Sequence, residues 1–148
     1  MVAILIVAHA PLASALQALA RHTYTECSAE IAAVDVQDAT GLQAAQELVT
    51  AALAALPAGE VLMLSDAFGA TPCTAALNVA DGVLTRVVAG VNVPMLWRSL
   101  CYRQLPLSEL VERAADGGRQ GIMQVAPPRR QDQPNRPTSH DPDQDIDQ

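Results

Sequence analysis

The sequence predicts a doubly wound α/β domain built on a mostly parallel sheet. Near-continuously apolar runs recur along the chain, MVAILIVA, IAAVDV, VLML and LTRVVA, and stretches with helical spacing separate them. Strands of that composition are buried on both faces, and crossover helices are what bury them.

The elements follow in order. A first strand over residues 2–8 stops at His9 and passes through Ala10 and Pro11 into a helix over 12–23, which carries Leu12, Leu16 and Leu19 on one face. Residues 31–36 form a second strand. After a polar turn, Thr40 is expected to cap a second helix, whose stripe of Leu42, Ala45, Leu48, Ala52 and Leu56 ends at Pro57 and Gly59. A third strand, 61–64, leads through Ser65 and Asp66 into AFGATP. There Thr71 reads as an N-cap with Pro72 at the first helical position, opening a helix that runs to about residue 80. The fourth strand is 84–89. Pro94 opens a short helix to residue 103, and a further helix spans 106–115. Gly117 and Gly118 then separate that helix from GIMQV at 121–125, which is short enough for an edge strand.

The domain is therefore expected over residues 1–126. Residues 127–148 hold five of the ten prolines and almost no large apolar side chain. They cannot bury enough surface to offset the entropy of ordering and read as a disordered tail. His140, within that tail, has no folded metal-ligand geometry around it.

At 148 residues and 50% hydrophobic, the chain suits one compact domain. Nine Lys+Arg against sixteen Asp+Glu give a net charge of -7, which argues against nucleic acid and fits a basic protein partner. No segment approaches the roughly 20 apolar residues that span a bilayer, so any membrane contact is expected to pass through other proteins. The N-terminal run lacks the basic flank of a signal peptide. Cys27, Cys73 and Cys101 are odd in number and widely spaced, as reduced thiols in a cytoplasmic protein would be, and read as small hydrophobes.

His9 and Asp66 carry the chemistry. Each closes an apolar strand, and open parallel sheets place ligands beyond the carboxyl ends of their strands, so neighbouring strands would bring both side chains to one crevice. A carboxylate that accepts from one imidazole nitrogen fixes the tautomer and leaves the other nitrogen free to attack an electrophile. The plainer alternatives are a histidine satisfied by backbone and an aspartate that caps a turn. Phe68, Gly69, Ala70 and Thr71 join Asp66 to a helix start whose unpaired N–H groups suit a phosphate. Thr71 either caps that helix or donates to the bound group. The helix after His9 offers a second N-terminus to the same crevice. His22 and Asp35 read as surface groups, Asp35 near the same rim. Met95 and Trp97 in VNVPMLW read as core, with a docking surface as the alternative. Neither GxGxxG nor GxxxxGK[ST] occurs, which disfavours nucleotide cofactors.

Taken together, ILIVAHAPLASAL, VLMLSDAFGATPCTAA and VAGVNVPML resemble the IIA domain of the mannose, fructose and sorbose class of the bacterial phosphoenolpyruvate-dependent sugar phosphotransferase system. The resemblance covers roughly residues 1–126. It implies a four-stranded parallel sheet of order 2-1-3-4, with His9 as phospho-acceptor and Asp66 as its orienter. Phe68, Gly69, Ala70 and Thr71 would surround the phosphoryl group, with no cofactor and no metal. It implies a protein-histidine phosphotransferase that takes its phosphoryl group from the phosphohistidine carrier protein and passes it to a separate IIB protein of a sugar permease. It also implies a homodimer that exchanges a C-terminal antiparallel strand, for which GIMQV is the candidate. The family usually has glycine where this chain has Ala10 and Ala70. Alternative functions are a regulatory phosphoacceptor of the same relay and a non-catalytic dimeric binding module. A receiver domain fits poorly, because the chain has histidine at the first acidic position and no lysine.

Overall fold

The structure, a computed structural model, describes residues 1–127, apart from the side chains of 27–29. The expected disorder of the tail and His140 thus lie outside the described residues.

The strands β1 (Ala3–His9), β2 (Ile31–Val36), β3 (Val61–Ser65) and β4 (Thr85–Ala89) form one all-parallel sheet of order β2-β1-β3-β4. Around it lie α1 (Leu12–Thr23), α2 (Leu42–Ala55), α3 (Thr71–Val79), α4 (Val93–Cys101) and α5 (Leu107–Gln120). Side chains of β1 alternate between the two faces, as the pleat requires. Ile4, Ile6 and Ala8 pack with residues of α1, α4 and α5, whereas Ala3, Leu5 and Val7 pack with residues of α2 and α3. The central strands are buried on both faces, which is why their sequences are apolar throughout. Among the described residues no helix is long and apolar enough to cross a membrane.

Several expectations are corrected. Helix α2 starts from Gly41, with no side-chain cap, because Thr40 is held in a turn by its N–H to the Gln37 carbonyl. Helix α4 starts at Val93, where the Asn92 side chain accepts the Met95 N–H at 2.9 Å. Helix α5 does not stop before Gly117 and Gly118 but runs through them to Gln120. Those glycines permit close approach to α4. A Cβ on Gly117 would lie 2.6 Å from the Arg98 Cβ, and one on Gly118 would lie 2.7 Å from the Met95 Cε.

GIMQV forms no strand in the single chain. Helix α5 takes up the residues before it, Gly121 packs on Pro94, and Ile122, Met123 and Val125 lie exposed with no ladder partner among the described residues. Met95 is core as expected, while Trp97 is 39% exposed and lines an open groove of about 610 Å³ with Pro94, Arg98, Cys101 and Tyr102. Of the cysteines read as small hydrophobes, Cys73 is buried and Cys101 is exposed.

Candidate active site

Because β1 and β3 are neighbours, their carboxyl ends open at one point of the rim. The register sets Val7 opposite Ser65, so His9 ends its strand beside the residue that follows β3. That residue is Asp66. By alternation, His9 falls on the face covered by α2 and α3.

The His9 ring and the Asp66 carboxylate meet. Nδ1 of His9 lies 2.6 Å from Oδ2 of Asp66, and the same oxygen accepts the backbone N–H of His9 at 2.9 Å. Oδ1 accepts the Ala67 N–H at 2.8 Å. Partial burial alone would raise the Asp66 pKa, but the bonds from the His9 backbone, the His9 ring and Ala67 outweigh it. Together they hold the carboxyl below its ordinary 3.8.

An ionised carboxylate only accepts, so Nδ1 carries the proton and the neutral ring keeps its lone pair on Nε2. The ring is 45% exposed and the carboxylate 13%. One side chain is thus sheltered and oriented, and the other is presented to an incoming electrophile.

Helix α3 begins beside this pair. Its N-cap is Ala70, not Thr71, because Ala70 is extended (φ -85, ψ 160) and its carbonyl accepts the first helical N–H, from Thr74. Thr71 is therefore the first helical residue, and its hydroxyl makes no capping bond. The alternative left open in the sequence is resolved against the cap.

Within the turn, Ala70 N–H is used by the Ala67 carbonyl at 3.3 Å and Pro72 has no N–H. The N–H groups of Gly69, Thr71 and Cys73 have no acceptor among the described residues. These, with the Thr71 hydroxyl, are the donors an anion would meet. Gly69 turns the chain at φ +87, where a side chain would be strained. The extended Ala70 needs no glycine, so alanine at this position costs no left-handed strain. The Phe68 side chain is 83% exposed on this turn.

The second helix start is less open than the sequence implies. Asp35, at the end of β2, accepts the Ser14 N–H at 3.1 Å, and the Ser14 hydroxyl donates to the Pro11 carbonyl. One first-turn amide of α1 is already bound to a carboxylate, and α1 packs on the sheet face opposite to His9. Sequence reasoning missed this role of Asp35. An aspartate at a strand end next to a helix start was the available signal. Ala10, for its part, donates to the Val36 carbonyl at 3.0 Å and extends the β1–β2 ladder. His22 is exposed near the far end of α1, away from the rim.

The family model described as PTS system fructose IIA component matches residues 3–115. No curated protein matches the chain. Among solved structures, the chain is similar to the mannose/sorbose specific IIA subunit of the phosphotransferase system from Enterococcus faecalis. That match has a TM-score of 0.77 at 24% identity and covers 86% of this chain and 96% of that one. It is similar to the phosphotransferase system component EIIA from Streptococcus agalactiae, with a TM-score of 0.73 at 18% identity over 84% of this chain and 97% of that one. A sigma-54 interaction domain protein from Enterococcus faecalis shares the fold, with a TM-score of 0.62 at 12% identity over 80% and 91% of the two chains. At these identities the structural likeness establishes the fold.

Proposed function

The chain belongs to the PTS system fructose IIA component family of the sugar phosphotransferase system, and on that premise we propose that His9 accepts a phosphoryl group from the phosphohistidine carrier protein and hands it to a separate IIB protein. The observation that carries this reading is the 2.6 Å contact between Nδ1 and Asp66, which reserves Nε2 as the nucleophile.

In the proposed step the Nε2 lone pair attacks phosphorus in line with the leaving nitrogen. The new P–N bond forms as the old one breaks, and the released electron pair returns to the carrier's imidazole. Asp66 keeps the Nδ1 proton and balances the positive charge that grows on the His9 ring. The amides of Gly69, Thr71 and Cys73 and the Thr71 hydroxyl face the charge on the equatorial oxygens. The second transfer, to the IIB protein, repeats the displacement with His9 as the leaving group.

We place the working unit at residues 1–126 and its site of action in the cytoplasm, where the carrier is found. Ile122, Met123 and Val125, exposed beyond α5, support a homodimer in which this segment pairs with the partner copy.

The test mixes the protein with phosphoenolpyruvate, enzyme I and the carrier. Wild type is expected to gain an acid-labile, base-stable phosphoryl group and His9→Ala none, whereas an unlabelled wild type contradicts the reading. The second reading is a regulatory phosphoacceptor of the same relay, and the fold is shared with a sigma-54 interaction domain protein. Passage of label from the phosphorylated chain to a IIB protein supports transport, and label that stays put supports regulation. The Trp97 groove gives the binding-module reading a surface, and that reading predicts no label.

A further inference from the structure

Phe68 is the single phenylalanine of the chain and is 83% exposed. An exposed apolar side chain taken singly needs no explanation. The setting of this one does. It stands on the same turn as Asp66, and the turn is stiffened by the acid itself. Ala67 N–H is bound by Asp66 Oδ1 at 2.8 Å, Ala70 N–H closes back on the Ala67 carbonyl, and Gly69 supplies the positive φ that reverses the chain. The carboxylate that orients His9 therefore also fixes the backbone that projects the phenyl ring. An aromatic side chain carried outward on a fixed turn is what an interface anchor uses.

What covers it follows from the transfer chemistry and the charge of the rim. The reacting nitrogen and phosphorus must approach to about 3.5 Å, so a protein donor has to lay its surface over the residues that flank His9 and Asp66. The loops at the carboxyl ends of the strands, residues 10–11, 37–41, 66–70 and 90–92, contain no Lys or Arg. The acidic groups on those strand ends and loops are Asp35, Asp38 and Asp66, and the cation next to them, Arg119 in the last turn of α5 beside Asn92, is paired with Asp116 at 3.0 Å. The complementary donor surface is basic around its phosphohistidine and apolar beside it.

Resting on the function proposed above, we propose that Phe68 is the residue by which this chain recognises the phosphohistidine carrier. Its ring seats in an apolar recess next to the carrier's phosphohistidine, while basic side chains of the carrier face Asp35 and Asp38.

The experiment titrates wild type, F68A and F68W with the carrier protein, reading Kd by calorimetry, with amide spectra of each variant confirming the fold. In parallel, transfer of phosphoryl from the phosphorylated carrier to wild type is recorded. F68A is expected to weaken binding by about 10- to 30-fold, the range of an interface anchor, and F68W to recover most of the affinity. If F68A binds as well as wild type, or F68W binds no better than F68A, the inference is overturned although the function stands. If wild type neither binds the carrier nor takes its phosphoryl group, the functional reading fails and this inference falls with it.

Discussion

The turn after β3 and the turn before β4 use the same parts to different ends. Each is built on an aspartate that accepts backbone N–H groups, and each contains a glycine at positive φ, Gly69 at 87° and Gly82 at 75°. In the second turn a single oxygen, Oδ1 of Asp81, takes the N–H groups of Val83, Leu84 and Thr85 and the Thr85 hydroxyl, all at 2.8 to 3.0 Å. Every bond is local, and the result is a well-formed start to β4. In the first turn Asp66 spends one oxygen on Ala67 and sends the other across to β1, 57 residues away in sequence, where it meets both the backbone and the ring of His9. Turn-capping chemistry becomes active-site chemistry when one carboxylate oxygen is left to reach a second strand.

Four measurements separate the two turns. The largest effect belongs to the ring that Asp66 holds, since His9→Ala removes the acceptor and phosphoryl uptake in the reconstituted relay should fall to background. Next come the acids themselves. Asp66→Asn should slow transfer by about 100- to 10,000-fold, because an amide can donate to Nδ1 and so favour the tautomer with its proton on Nε2, while Asp81→Asn should leave the rate unaltered. Equal slowing by both would erase the distinction between the turns.

The glycines give a smaller, matched pair. Neither Gly69 nor Gly82 has an atom within 4 Å of a built Cβ, so alanine at either meets backbone strain alone. Chemical denaturation should show a similar loss of about 1–2 kcal/mol for each, with only Gly69→Ala slowing transfer.

The smallest effect appears in acid. Backbone N–H bonds from Thr85 and Val83 lead in lowering the Asp81 pKa from 3.8 to about 2. In that interval the unfolded chain binds more protons than the folded one, so this contribution is complete above pH 3.8 and is lost as pH falls through about 2. Asp81→Asn should flatten the dependence of stability on pH there. An unchanged slope would mean that the turn bonds do not favour the ionised acid. Asp66 is shifted in the same direction, so its contribution is also lost at low pH.

That His9 and Asp66 each close an apolar strand is legible in the residues, whereas the order 2-1-3-4 that makes those strands adjacent is legible only through the family resemblance. Helix α1 and strand β2 also fall where periodicity and composition place them. What was not legible depends on neighbours distant in sequence or on backbone angles. Gly117 and Gly118 resemble breakers until α4 is seen lying against them. Thr71 resembles a cap until the extended backbone of Ala70 shows that the helix begins one residue later. The amides at the start of α1 count as free until Asp35 arrives from β2 to bind one. A one-residue shift at a cap decides whether a hydroxyl is spent on the helix or left for a ligand.

If Asp66 reserves Nε2 for transfer, the nitrogen that carries phosphorus reveals it. Labelling the imidazoles with ¹⁵N, phosphorylating through enzyme I and the carrier, and reading nitrogen–phosphorus couplings by NMR identifies the bonded atom. A single adduct is expected at Nε2 of His9, with Nδ1 still protonated against Asp66. Phosphorus on Nδ1, or on any residue other than His9, would contradict it.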